Sequence, residues 1–87
     1  MLTNYKSNFT NWIGIMVEIF KTNVVSKRLA NRVLNYLHAN MPAYSFNFDL
    51  DDCDRILRAQ YLANKFEAAK IIKIAEEHAI EISLFEE

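Results

Sequence analysis

Residue types that bind metals or act as nucleophiles are concentrated in one short stretch of the chain. Four aspartates and one cysteine lie within six positions: Asp49, Asp51, Asp52, Cys53 and Asp54. Carboxylate oxygens are ligands for Ca²⁺ and Mg²⁺, but this stretch has neither the central glycine nor the closing glutamate of a calcium loop. Aspartate is also a common turn residue. We therefore expect a turn here, with Cys53 as a small residue packed within it.

Two histidines are the other candidate ligands, and each lies near the end of a predicted helix. His38 and His78 have no Cys, His or Asp partner at the spacing of a metal site. A helix C-terminus favours a basic side chain, which gives both residues a structural role. The sequence also contains no nucleophile elbow, zinc-helix motif or phosphate-binding glycine loop, since Gly14 is the only glycine. We predict no cofactor and no enzymatic activity.

Six secondary-structure elements are predicted from hydrophobic periodicities of two and 3.6 residues. Predicted strands cover residues 15–22, 44–50, 55–61 and 80–85, and predicted helices cover residues 26–40 and 65–78. Ser26 is a good N-cap for the first helix, and Pro42 prevents its continuation. The order strand, helix, strand, strand, helix, strand is typical of the split βαβ, or ferredoxin-like, unit.

The predicted fold is an α+β sandwich with a four-stranded antiparallel sheet and two helices on one face. Right-handed crossovers give the strand order 4-1-3-2. We expect residues 14–87 to form a single domain and residues 1–13 to be an N-terminal extension. Tyr5, Phe9 and Trp12 in this extension have the spacing of a short docking helix, although a polar tail is the simpler interpretation.

The open face of the sheet is the remaining place for function. In the first strand, Val17 and Ile19 are predicted to face the helices. The side chains expected on the open face are Glu18, Phe20, Thr22, Ser45, Asn47, Asp49, Ile56, Arg58, Gln60, Glu81, Ser83 and Phe85. Of these, the candidate protein-contact residues are Phe20, Ile56, Arg58 and Phe85. RNA-recognition domains stack bases on aromatics of both central strands, whereas here the third strand presents Ile56, Arg58 and Gln60 on this face.

Composition limits the classes of partner. The formal net charge is −1, so there is no basic excess to bind a nucleic-acid backbone. No apolar run approaches the roughly 20 residues that span a bilayer. The first residues lack the apolar core of a signal peptide, and one cysteine fits a reducing compartment. We expect a cytoplasmic protein that binds neither nucleic acid nor membrane.

The segment Ser26-Lys27-Arg28-Leu29-Ala30-Asn31-Arg32-Val33, with Tyr36-Leu37 after it, resembles the first loop and helix of heavy-metal-associated domains, the copper chaperone family. The resemblance covers about residues 15–87 in element order and apolar spacing, not in identities. In that family the loop holds two cysteines that bind Cu(I) or a similar soft ion. Ser26 and Leu29 occupy those two positions, and neither supplies a thiolate. The resemblance therefore implies the fold without the metal activity.

The segment from residue 47 to residue 58 also resembles small uncharacterised bacterial proteins of this fold, which supports the fold and implies no activity. We expect a non-enzymatic binding or protein-interaction module, and a homodimer is one form it could take. Two alternatives stay open. One is a divergent metal-handling protein that uses Cys53, the nearby aspartates and ligands from a partner. The other is a small-molecule regulatory domain with its ligand between two protomers.

Overall fold

The computed structural model describes residues 14–62 and 66–85. These residues form one antiparallel sheet and two helices, in the order β1 (Ile15–Thr22), α1 (Lys27–Asn40), β2 (Ser45–Asp49), β3 (Ile56–Leu62), α2 (Ala68–Glu77) and β4 (Ile82–Leu84). The strand order is β2-β3-β1-β4, which confirms the predicted ferredoxin-like βαββαβ arrangement. The predicted extension, residues 1–13, lies outside the described residues.

The core lies between one face of the sheet and the two helices. Its fully buried side chains come from every layer of the sandwich and include Phe20, Val24, Val33, Leu37, Leu57 and Ile71. Strand β2 shows the predicted alternation, since Phe46 is buried and Phe48 packs against the core while Ser45 and Asn47 are exposed. Among residues 14–62 and 66–85 no helix lies on the other face of the sheet, which corresponds to the open face predicted from the sequence.

Helix α1 begins and ends where its sequence signals predict. The Ser26 hydroxyl accepts a hydrogen bond from the Leu29 amide at 3.1 Å, which satisfies a free donor of the first turn. Ala30, Val33 and Leu37 form the buried side of the helix. The Met41 amide donates to the Leu37 carbonyl at 2.7 Å, and Pro42 follows. No described helix is both long and apolar enough to cross a membrane.

Helix α2 begins later than predicted and has a well-defined C-terminal cap. It begins at Ala68, and no side chain caps its N-terminus. Residue 65, the predicted start, lies outside the described residues. At the other end, Ala79 and Ile80 donate backbone hydrogen bonds to Glu76 and Ala75, both at 3.0 Å. This is the pairing of a Schellman motif, in which the residue after the cap has left-handed backbone geometry. Ala79 is that residue, with φ of 61°.

Ala79→Gly is expected to stabilise the protein by about 1 kcal/mol, because a Cβ atom is strained in the left-handed region and glycine has none. Urea denaturation of the two proteins measures the difference in the free energy of unfolding. Ala39→Gly, at an exposed position within α1, is the matched control and is expected to destabilise by about 1 kcal/mol. A loss of stability in both variants would contradict this account of the cap.

The predicted aspartate turn between β2 and β3 is present. The Asp49 carboxylate accepts from the Asp51 amide at 3.3 Å, and the Asp52 carboxylate accepts from the Asp54 amide at 2.8 Å. Short side chains that bond the backbone two residues on are the reason aspartate favours turns. The Arg55 guanidinium closes the turn by donating to the Leu50 carbonyl. Cys53 is exposed, so the expectation that it packs within the turn is wrong.

The outer edge of β2 is partly covered by helix α1. The Phe46 amide points away from β3 and donates to Nε2 of His38 at 3.2 Å. The two aromatic rings lie 5.5 Å apart. Edge strands present free N–H groups that can pair with other chains, and this contact occupies one of them.

Candidate functional site

Ser26 and Leu29, the two positions that the resemblance aligns with metal-binding cysteines, have structural roles in this chain. Ser26 caps α1 through its hydroxyl, as described above. Leu29 is partly buried and packs against the core. The Ser26 hydroxyl already accepts a hydrogen bond from an amide, and the aliphatic Leu29 side chain packs against the core. Neither side chain is a soft metal ligand. The loop before α1 is therefore a helix-initiating segment.

Strand β1 has the opposite orientation to the one predicted. Phe20 is fully buried opposite Leu57, whereas Val17 is 49% exposed. Successive side chains of a strand alternate between faces, so Met16, Glu18, Phe20 and Thr22 face the helices. The prediction that Glu18, Phe20 and Thr22 lie on the open face is wrong, and so is the prediction that Val17 and Ile19 face the helices.

The corrected orientation places an apolar stripe on the open face, formed by Ile15, Val17, Ile19, Leu62 and Phe85. Four of these side chains are well exposed: Ile15 at 38%, Val17 at 49%, Leu62 at 51% and Phe85 at 37%. The pairing Ile15–Leu62 and the hydrogen bond from the Phe85 amide to the Ile19 carbonyl, 2.8 Å, put them side by side. Large apolar side chains that are exposed next to one another form a patch, and the largest apolar patch on a protein is often functional.

The other three predicted contact residues lie on the open face but differ in accessibility. Ile56 is only 6% exposed, and charged pairs lie on both sides of it. One pair joins Arg58 to Asp49 at 3.8 Å, and the other joins Lys21 to Asp54 at 3.9 Å. Arg58 and Phe85 remain accessible. Arg58 also reaches Asn47 at 3.4 Å, so the apolar stripe has a polar border on its β2 side.

Sequence reasoning missed Ile15, Val17 and Leu62 as candidate site residues. The pattern of β1 gives no clear orientation, because Ile15, Val17 and Ile19 on one face are as apolar as Met16 and Phe20 on the other. Glu18 is the charged residue in this apolar run, so the sequence alone predicts that it faces solvent. Its partner, a tyrosine 43 positions away, could not be recognised from the sequence alone.

That partner is Tyr61, which donates from its hydroxyl to the Glu18 carboxylate at 3.0 Å on the helix-covered face. Tyr44 stacks on Tyr61 with ring centres 5.3 Å apart, and its hydroxyl accepts from the Glu67 amide at 2.7 Å. The pKa of Tyr61 is raised by burial and, secondarily, by the nearby Glu18 carboxylate. Burial is also the main reason that the pKa of Tyr44 is raised. Both phenols are held in the neutral form as structural donors and acceptors.

These shifts predict a loss of stability in base. Because the folded-state pKa lies above the ordinary value of 10.0, the unfolded chain releases these protons first, and stability declines as the pH rises above about 10. Urea denaturation at a series of alkaline pH values measures the decline. Tyr61→Phe removes one titrating group, so its stability should fall less steeply over that range. An equal slope in the variant would contradict the assignment.

One group of possible metal ligands occurs among the described residues. Ligand atoms of Asp52, Cys53 and Asp54 lie within 4.8 Å of one another. Both carboxylates already have partners, since Asp52 accepts the Asp54 amide and Asp54 pairs with Lys21. The turn geometry accounts for all three positions without an ion.

A shallow depression lies at the end of the sheet where β1 begins and β3 ends. Its lining includes Ile15, Tyr44, Gln60, Tyr61 and Leu62. Two of these residues belong to the apolar stripe, so the depression continues the stripe toward the aromatic side chains of the core. The candidate site therefore consists of the apolar stripe on the open face and the depression next to it.

No family model, curated protein or solved structure matched the chain in the comparisons with known proteins.

Proposed function

We propose that this protein is a non-enzymatic interaction module that binds a protein partner through the apolar stripe of its open sheet face. The observation that carries the proposal is the exposure of Ile15, Val17, Leu62 and Phe85 on one surface that neither α1 nor α2 covers. Burying such a surface against a partner removes apolar area from water, and the largest apolar patch on a protein is often a functional site.

The border of the stripe supports a protein partner. Arg58, Asn47 and Asp49 form a polar edge along the β2 side, and Lys21 lies beside Phe85 with its ammonium 6.0 Å from the ring centre. An apolar centre with a polar border is the usual composition of a protein–protein interface. The low net charge, −1, gives no support to a nucleic-acid partner.

A pair of lysine variants tests the proposal. Leu62→Lys places a charge in the stripe, and Val25→Lys places the same charge at a side chain that is 70% exposed in the loop before α1. Proteins captured by the wild-type chain should be lost from Leu62→Lys and retained by Val25→Lys. Equal capture by both variants would show that the open face is not the binding surface.

The metal-handling alternative makes a different prediction. It requires Cys53 to supply a thiolate, so binding of Zn²⁺ or Cu(I) should be abolished in Cys53→Ala and unaffected by Leu62→Lys. Titration calorimetry with each ion measures this directly. Under the interaction proposal, neither ion binds with an affinity that depends on Cys53.

A further inference from the structure

The apolar stripe and the segment that precedes it are joined directly in the chain. Ile15 is the first residue of β1 and belongs to the stripe, and residues 1–13 lead into it through Gly14. Gly14 lies in a turn with φ of 79°, the left-handed geometry that glycine adopts without strain. This turn releases the preceding residues from the direction of β1 at the point where the stripe begins.

The sequence of residues 1–13 has the pattern of an amphipathic helix with one apolar side. At about 100° per residue, five apolar side chains fall within an arc of roughly the same width: Leu2, Tyr5, Phe9, Trp12 and Ile13. The opposite side of such a helix holds small polar residues, namely Thr3, Asn4, Ser7, Thr10 and Asn11. Helices shorter than about 12–15 residues are marginal in water, so this pattern requires a surface that covers its apolar side.

The open face offers an apolar surface of matching size. From Ile15 to Ile19 the stripe is about 13 Å long, and Leu62 and Phe85 on the neighbouring strands make it about 10 Å wide. A helix over residues 2–13 would be about 18 Å long and about 10–12 Å across. One such helix therefore covers the stripe. The opposite face of the sheet is already packed against α1 and α2.

We propose that residues 1–13 fold back as a helix onto the apolar stripe and compete with the protein partner for it. This inference rests on the proposed function, because it describes how the same surface is regulated. The chain supplies its own cover when no partner is bound, and a partner has to displace that cover in order to bind.

The connection through Gly14 favours this segment over a separate molecule. A segment held by a short linker has an effective concentration in the millimolar range. Lys6 is the one charged side chain in residues 1–13, and it falls outside the apolar arc, where its ammonium can stay in water. The apparent affinity of the partner is then reduced in proportion to the fraction of molecules whose stripe is uncovered.

The fluorescence of Trp12 reports on the contact without a label, because Trp12 is the only tryptophan of the chain. In the wild-type chain at low micromolar concentration, we expect emission at a shorter wavelength than that of free tryptophan and slow quenching by acrylamide. Val17→Lys places an ammonium within the contact, so the ratio of covered to uncovered molecules should fall about tenfold or more, with emission shifted to longer wavelength. Val25→Lys, at an exposed position in the loop before α1, should leave both readings unchanged.

A second pair of variants changes the segment in place of the sheet. Phe9→Ser removes a ring from the apolar side of the helix, and Asn11→Ser introduces the same side chain on the polar side. Anilinonaphthalene sulfonate binds exposed apolar surface, so its fluorescence should rise several-fold with Phe9→Ser and stay at the wild-type level with Asn11→Ser. Adding Leu62→Lys to Phe9→Ser should remove the rise, whereas a rise caused by unfolding would persist.

Three results would overturn the inference. Quenching of Trp12 as fast as that of free tryptophan excludes a cover, and protection that survives Val17→Lys places the segment elsewhere. Protection that appears only as the protein concentration rises shows that a second copy supplies the cover. Failure of the proposed function looks different, since it gives equal capture by Leu62→Lys and Val25→Lys while Trp12 stays protected in the wild-type chain.

Discussion

Phe20→Ala is expected to destabilise the protein by about 3–5 kcal/mol, the usual cost of removing a buried phenylalanine ring. Phe20 is completely buried, opposite Leu57 on β3 and Leu84 on β4. Small domains have a total stability of about 5–15 kcal/mol, so the variant loses a large part of it. Urea denaturation followed by circular dichroism measures the loss.

Phe85→Ala is the matched control for Phe20→Ala, because it removes the same ring from a position that is 37% exposed on the open face. Its expected cost is below about 1 kcal/mol. Where Phe20→Ala is too unstable to purify, Phe20→Leu should show a smaller loss of about 1–2 kcal/mol from the same cause. Equal costs at positions 20 and 85 would mean that the orientation of β1 is wrong.

Tyr44→Ala is the second variant with a large expected effect, again about 3–5 kcal/mol. The Tyr44 ring stacks between Phe46 and Tyr61, at 5.3 Å from each, and its hydroxyl accepts the Glu67 amide before α2. The substitution removes both stacking contacts and leaves a cavity at the end of the sheet. Thermal and urea denaturation both report the change.

Tyr44→Phe separates the contribution of the ring from that of the hydroxyl. It keeps the stacking and leaves the Glu67 amide without this acceptor, which should cost about 1 kcal/mol. Tyr36→Ala serves as the exposed control, since Tyr36 is 51% exposed and has one edge contact with His78 at 4.8 Å. A cost for Tyr44→Phe as large as that for Tyr44→Ala would show that the hydrogen bond, not the stack, stabilises this end of the sheet.

The fold could be predicted from the sequence because most elements have one clear apolar side. In β2, Phe46 and Phe48 alternate with Ser45, Asn47 and Asp49, so only one orientation buries the large side chains. Helix α1 has both a capping serine and a following proline. These local signals give the element order, and the order together with right-handed crossovers gives the topology.

The candidate site could not be predicted to the same degree, because β1 is apolar on both faces. A one-residue error in β1 moves every side chain of the strand to the opposite face. The prediction placed Glu18 toward solvent, and this placement was wrong. Its place on the helix-covered face depends on the hydrogen bond from Tyr61, a contact between distant residues. The start of α2 was predicted less accurately for a different reason: its N-terminus has no side-chain cap to mark where the helix begins.

The contact between His38 and the outward amide of Phe46 has a consequence for strand addition at the β2 border. A strand that joined the sheet there would need the Phe46 amide as a donor, and the imidazole already accepts from it at 3.2 Å. An incoming strand would first have to displace His38, so we expect helix α1 to oppose lateral growth of the sheet at this border.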